Sequence, residues 1–294
     1  MTVRIIGDTI YERKSVPNCF KVKTTDLGNG HVESVVSQAW ELVELDTSRM
    51  PDDVLRNLKE HILEKRDDPD RIKEREEINR DRAARRAKTR VRQLCKAANA
   101  DTLMTLTYRA DQPDLDLCKK HLKEFVRRVR RVLPDFVAIA AFETQARGTW
   151  HVHMACRRVA TVLANNQGVR IKSFDLLRAI WRSVTKELGG NVDVARRKST
   201  SQRSPARIAS YISKYITKAF EEGAKFSNRW TKFGDVTIPP SVQLGYVESM
   251  REAIELVYDL VAPGAAVVTS YLSHFKDVFF LVTESRSGIP KPCK

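Results

Sequence analysis

Phe142-Glu143-Thr144-Gln145-Ala146-Arg147-Gly148-Thr149-Trp150-His151-Val152-His153-Met154 is the stretch on which the fold of this chain turns. Ala146-Arg147-Gly148 has the form of a three-residue hairpin loop with glycine at its last, left-handed position. That loop sets Glu143 directly opposite His151. Cross-strand partners project from one face about 5 Å apart, and His153, two residues further on, shares that face. Glu143, His151 and His153 therefore converge as one carboxylate and two imidazoles. Phe142, Trp150, Val152 and Met154 fall on the other face, an apolar set suited to packing against a helix. A slip of one residue in the loop would turn Glu143 into the core.

Outward from the hairpin, strands and helices alternate. Leu103 to Tyr108 is apolar and β-branched, hence a strand, and Leu115, Leu122, Val126, Val129 and Leu133 recur at helical spacing until Pro134. Phe136 to Thr144 and Thr149 to Val159 are the hairpin strands. Phe174 to Leu188 is expected as a helix, Asn191 to Val194 as a short strand after Gly189-Gly190, and Ala206 to Phe220 as a helix opened by Pro205. Short links between neighbouring strands argue for an antiparallel sheet with flanking helices, an α+β class. Residues 1–68 read as an accessory region, 69–235 as the main domain beginning with a basic helix, and 236–294 as a C-terminal region. Both terminal additions are expected to be mainly helical, including Val247 to Val261 and Ala265 to Val282.

The 294 residues, 42% of them hydrophobic, can bury a substantial core. A formal net charge of +15 points to a polyanionic partner, nucleic acid before a membrane surface. No apolar run approaches the roughly 18 residues that span a bilayer, and the first residues lack the apolar core of a signal peptide, so the cytoplasm is the expected location. Cys19, Cys95, Cys118, Cys156 and Cys293 are odd in number, scattered and never spaced as CxxC, which excludes a disulfide framework or a cysteine zinc site. From Arg71 to Lys96 eleven basic residues face four acidic ones, while Ala84, Ala87, Val91, Leu94 and Ala98 form an apolar stripe. Arg85, Arg86 and Arg90 on the outer face of that helix outnumber their carboxylate partners and are candidate phosphate contacts. Arg147, Arg196, Arg197, Lys198, Arg203 and Arg207 are further candidates for binding DNA.

Two imidazoles and a carboxylate make an open site for a divalent cation that must also hold substrate oxygens. Mg²⁺ or Mn²⁺ suits the polarising of a phosphodiester, and ligand type alone also admits zinc. Downstream, Tyr211-Ile212-Ser213-Lys214-Tyr215-Ile216-Thr217-Lys218 is a tandem Tyr-x-x-Lys. On a helix, Tyr211, Tyr215 and Lys218 share one stripe beside the apolar stripe of Ile208, Ile212 and Ile216, with Lys214 at its flank. A phenol of ordinary pKa near 10 is a weak nucleophile at neutral pH, so it needs a polarised phosphate or a nearby cation. Lys214 and Lys218 could supply that charge.

The strand Thr105-Leu106-Thr107, the segment Glu143 to His153 and the string from Tyr211 to Lys218 resemble the three ordered motifs of HUH endonucleases. They are most similar to the two-tyrosine rolling-circle replication initiators of single-stranded DNA phages and plasmids, and the resemblance covers about 115 residues. It implies a ferredoxin-like or RRM-like sheet, His151 and His153 as metal ligands with Glu143 as the third, Tyr211 and Tyr215 as nucleophiles, and Lys214 as an assisting residue. It further implies cleavage of one strand of single-stranded or supercoiled origin DNA through a 5′-phosphotyrosine. Without a GxxxxGK[ST] string, unwinding falls to a host helicase, with a host polymerase extending the freed 3′ end. The host would be bacterial if a phage or plasmid encodes the chain. Two rivals share these features: a tyrosine transposase of the same chemistry, and a non-catalytic origin- or operator-binding protein with structural histidines.

Overall fold

A computed structural model describes residues 3–157, 159–164, 168–196, 208–215, 229–261 and 265–285. The chain divides into two units. One comprises Met1–Asp26, Val32–Arg82 and Pro240–Glu284, the other Leu27–His31, Ala83–Pro239 and Ser285–Lys294.

The first unit carries β1 (Val3–Ile6), β2 (Thr9–Asp26), β3 (Val32–Glu44), α1 (Asp52–Asp67) and the start of α2 (Pro69–Ala97). The C-terminal part adds β11 (Val242–Val247), α6 (Met250–Asp259), β12 (Ala265–Leu272) and β13 (Val278–Ser285). These strands form one sheet in the order β1-β2-β3-β13-β12, with β11 on β2. The expectation of mainly helical terminal additions is thus corrected. Of the two C-terminal helices expected, only the first exists, as α6; Ala265 to Val282 is strand, turn and strand. Valine, threonine and aromatic side chains favour a pleated surface, but the pairing that decides the matter, Val36 with Phe279, lies far apart in sequence. Val22, Val36, Phe279 and Leu281 then bury Met250, Ala253 and Val257 of α6. Within β2 the register shifts between Ser15 and Phe20, around Pro17, so this long strand reads locally as a break.

The second unit holds the site. Its sheet has the order β10-β5-β6-β4-β9, formed by β4 (Thr102–Tyr108), β5 (Ala138–Thr144), β6 (Trp150–Cys156), β9 (Gly190–Arg196) and β10 (Trp230–Phe233). All its pairings are antiparallel, and helices flank it. The hairpin has the expected register: Glu143 pairs with His151 and Thr144 with Trp150. Gly148 takes φ of 81°, which a side chain would strain, and its N–H donates to the Gln145 carbonyl at 2.8 Å. Every residue of β6 is buried, as a central strand with both faces covered requires.

On one face, α3 (Leu115–Val132) and α4 (Ser173–Thr185) cover Met104, Leu106, Phe142, Trp150, Val152 and Met154. The Asp114 carboxylate starts α3 by accepting from the N–H groups of Asp116 and Leu117. Trp181 of α4 donates its indole N–H to the Thr107 carbonyl at 2.9 Å. Gly190 permits that approach, because a Cβ there would lie 2.5 Å from the indole nitrogen. The other face packs Ile139, Ala141 and Ala155 with Val91, Leu94 and Cys95 of α2 and with Ile208, Ala209 and Ile212 of α5, described over 208–215. A small hairpin of β7 (Val162–Ala164) and β8 (Arg170–Lys172) precedes α4. Cys95, Cys118 and Cys156 are buried free thiols.

Candidate active site on the open sheet face

The face of β5 and β6 turned toward α5 carries Glu143, His151 and His153, because strand alternation sends Phe142, Val152 and Met154 to the opposite core. His153 is the hub. Its Nε2 lies 2.9 Å from Glu143 Oε2, and its Nδ1 lies 3.3 Å from the hydroxyl of Thr105, its pairing partner on β4. A carboxylate at one nitrogen and a hydroxyl at the other leave the ring little freedom to turn. The His151 ring sits 6.4 Å from the His153 ring, centre to centre.

Helix α5 supplies the tyrosines. Ile208, Ala209 and Ile212 are buried against the sheet, and that anchoring sets the adjoining stripe over the histidines. The Tyr215 ring stacks on His153 at 3.9 Å with an interplanar angle of 9°, while Tyr211 meets the same imidazole edge-on at 6.4 Å. Tyr215 donates its hydroxyl to that of Tyr211 at 2.6 Å. Tyr211 is the more accessible phenol, 40% exposed. Lys214 is exposed on the same helix.

Burial lowers the His151 pKa to about 4; the neighbouring His153 and Arg147 push the same way and Glu143 opposes them. Burial also lowers His153, against the contrary pull of its hydrogen bond to Glu143. Both imidazoles are therefore neutral at neutral pH, the form in which a histidine nitrogen can bind a cation. Burial and the hydrogen bond to Tyr211 push the Tyr215 phenol well above the ordinary tyrosine range.

By donor type, two neutral imidazoles and a carboxylate fit a divalent cation. Among the described residues, however, no three His, Cys, Asp or Glu side chains are drawn together closely enough to hold one. Glu143 and His153 bond directly to each other instead.

The other expected residues sort by location. Arg85, Arg86 and Arg90 are exposed on α2. Arg147 holds the hairpin tip: its guanidinium donates to the Tyr108 carbonyl at 3.0 Å and the Gln145 side chain at 3.3 Å, and lies 3.6 Å from Asp111. Arg196 ends β9, opposite Thr102. Arg197, Lys198, Arg203, Arg207 and Lys218 lie outside the described residues. Thr105 was legible as part of a strand, but its bond to His153 depends on the β4–β6 pairing, 48 residues apart, for which the sequence carries no local signal.

Residues 101–220 match the family model of the replication-associated proteins of ORF2 type. That segment contains Thr105, Glu143, both histidines and both tyrosines, and through it the chain is a rolling-circle Rep-like protein of the HUH class. In general terms its role is that of a Rep-type nuclease in the initiation of replication. No curated protein and no solved structure matches the chain. No described helix is long and apolar enough to cross a membrane.

Proposed function

We propose that this chain nicks one strand of a replication origin by tyrosine attack, stays joined to the 5′ end, and leaves a 3′-hydroxyl for synthesis. The observation that carries the reading is the stacking of Tyr215 on His153 at 3.9 Å, which puts two phenols beside the imidazole–carboxylate pair. The unit containing 83–239 is then the nicking domain, with the ferredoxin-like arrangement of the HUH class, and the other unit is accessory.

Tyr211 acts first. The Tyr215 proton is engaged on the Tyr211 oxygen, and its phenol is held neutral by burial, whereas Tyr211 is the phenol that a DNA phosphate can reach. The Tyr211 oxygen attacks phosphorus in line with the 3′ oxygen. As the new P–O bond forms, the P–O3′ bond breaks; the phenol proton is lost and the leaving 3′ oxygen takes one up. The phosphotyrosine conserves the energy of the cleaved diester, so the step reverses without ATP. Tyr215 remains free to cut a regenerated origin while Tyr211 holds the first end.

Glu143, His151 and His153 would hold Mg²⁺ or Mn²⁺, and Thr105 orients the middle ligand. When bound, such a cation polarises the scissile phosphate and offsets its developing charge. Lys214 and Lys218 add positive charge beside the phenols, while Arg85, Arg86, Arg90, Arg147, Arg196, Arg197, Lys198, Arg203 and Arg207 hold the backbone of origin DNA in a salt-dependent way. Helicase and polymerase come from the host.

The test is a covalent adduct on a denaturing gel after incubation with origin-derived single strands and Mn²⁺. Wild type forms it, Tyr211→Phe loses it on a first-nick substrate, and Tyr215→Phe keeps most of it. Absence of any adduct from wild type would leave only the non-catalytic DNA-binding reading. Adduct formation at mobile-element ends but never at an origin would favour transposition.

A further inference from the structure

The sheet face bearing the histidines is covered unevenly. Toward β5 it is filled by Ile139 and Ala141 packed against α2 and α5, with Trp230 of β10 against the same cluster. Toward β9, at the level of the histidines, side chains of a different kind take over. The row through His153 continues across β4 to Thr105 and then to Asp193 of β9; one step along, Thr107 pairs with Asn191. Direct partners in antiparallel strands project from the same face, so all four residues lie on the His153 side. Burial agrees: Asn191 and Asp193 are exposed and both threonines half-buried, while Val192 between them is 1% exposed in the opposite core.

This strip is polar but carries no positive charge, in a chain with 52 basic residues. Asp193 makes no ion pair among the described residues. A carboxylate beside a site for a polyanion repels phosphates, so it is badly placed to hold a backbone. It is also badly placed to join the metal donors. β9 is two strands from β6, a separation of about 9–10 Å, and the Nε2 of His153 is bonded to Glu143 on the other side. What a carboxylate can accept from DNA is a base N–H. Bases of a single strand present their Watson–Crick edges, and among the four only guanine offers two adjacent donors, N1–H and N2–H. Those donors match the two oxygens of a carboxylate, as fork-to-fork pairing does elsewhere.

We propose that Asp193, with Asn191 beside it, reads an unpaired guanine close to the scissile phosphate, which makes the β4–β9 strip the sequence-selecting surface of the enzyme. This rests on the nicking reading above. Phosphate contacts position a strand and base contacts specify it. The exposed acid belongs to the second group, and Thr105, bonded to His153 in the same row, ties the base-reading strip to the reacting centre.

The experiment is covalent selection from a randomised single-stranded pool with Mn²⁺, sequencing the DNA that becomes attached to wild type, Asp193→Ala and Asp193→Asn. Wild type should show guanine at one position within a few nucleotides of the nick, and both variants should lose that preference while neighbouring preferences persist. Inosine at that position, which lacks the N2 amino group, should slow wild-type adduct formation about tenfold and leave Asp193→Ala unaffected, as expected for a lost hydrogen bond to a charged group. The inosine arm uses wild-type protein and so does not depend on a variant folding. Adducts whose guanine preference survives in both variants, or that show no guanine position, would overturn the inference alone. No adduct from any wild-type pool would overturn the nicking reading and this one with it.

Discussion

The two faces of the five-stranded sheet are written in the same strands yet do different work. Phe142 and Glu143 are neighbours in sequence; one is 1% exposed in a core of aliphatic and aromatic side chains, the other bonds to His153 at 2.9 Å. Val152 between the two histidines belongs to the first face and the histidines to the second. Strand alternation lets stability and chemistry be assigned residue by residue, so a substitution on one face should leave the property of the other nearly intact.

The largest effect expected is on the site face. Glu143→Gln keeps the shape of the side chain but removes its charge, and should cut adduct formation by roughly 10²–10³-fold while thermal melting barely moves, since a surface carboxylate contributes little to the core. Chelation with EDTA should do the same to wild type and be reversed by Mn²⁺. If Glu143→Gln melted much earlier with full activity per folded molecule, the division of labour would be wrong. One residue away, Phe142→Ala should behave oppositely, costing about 3–5 kcal/mol in urea unfolding through the cavity it leaves. Its activity below the unfolding transition should remain near wild type.

Thr105→Val sharpens the comparison at smaller scale. It removes the hydroxyl at His153 Nδ1 while preserving a β-branched shape, and should raise the Mn²⁺ concentration for half-maximal adduct formation about tenfold, as loss of an orienting partner does. Unchanged metal dependence would reduce Thr105 to a packing residue.

The smallest effect is a pH dependence of the metal-free protein. His151 is lowered from 6.5 to about 4 in the folded chain, chiefly by burial, so below its ordinary pKa the unfolded chain binds a proton that the folded chain does not. The contribution is therefore fully present above about pH 6.5 and lost as pH falls toward about 4. Urea midpoints across that range should fall less steeply for His151→Gln, and an imidazole resonance still neutral at pH 5.5 would mark His151 directly.

Much of this arrangement was legible in advance because it is local. The hairpin register follows from three loop residues, α3 from the spacing of Leu115 to Val132, and the buried stripe of α5 from Ile208 and Ile212. The terminal regions were not legible. Val32–Glu44 and Val278–Ser285 are strands because they pair with each other across the length of the chain, and Pro17 disguises the continuity of β2.

By itself the sequence determined which residues share a strand face or a helix stripe, because the periods of two and of 3.6 residues are properties of the backbone. It thereby brought Glu143, His151 and His153 onto one surface and the two tyrosines onto another. Only the tertiary structure decided that these surfaces meet with Tyr215 stacked on His153, that Thr105 completes the contacts of that imidazole, and that Asp193 lies in the same row. Those contacts join segments dozens of residues apart, and they are settled by how the apolar faces of whole elements are buried together.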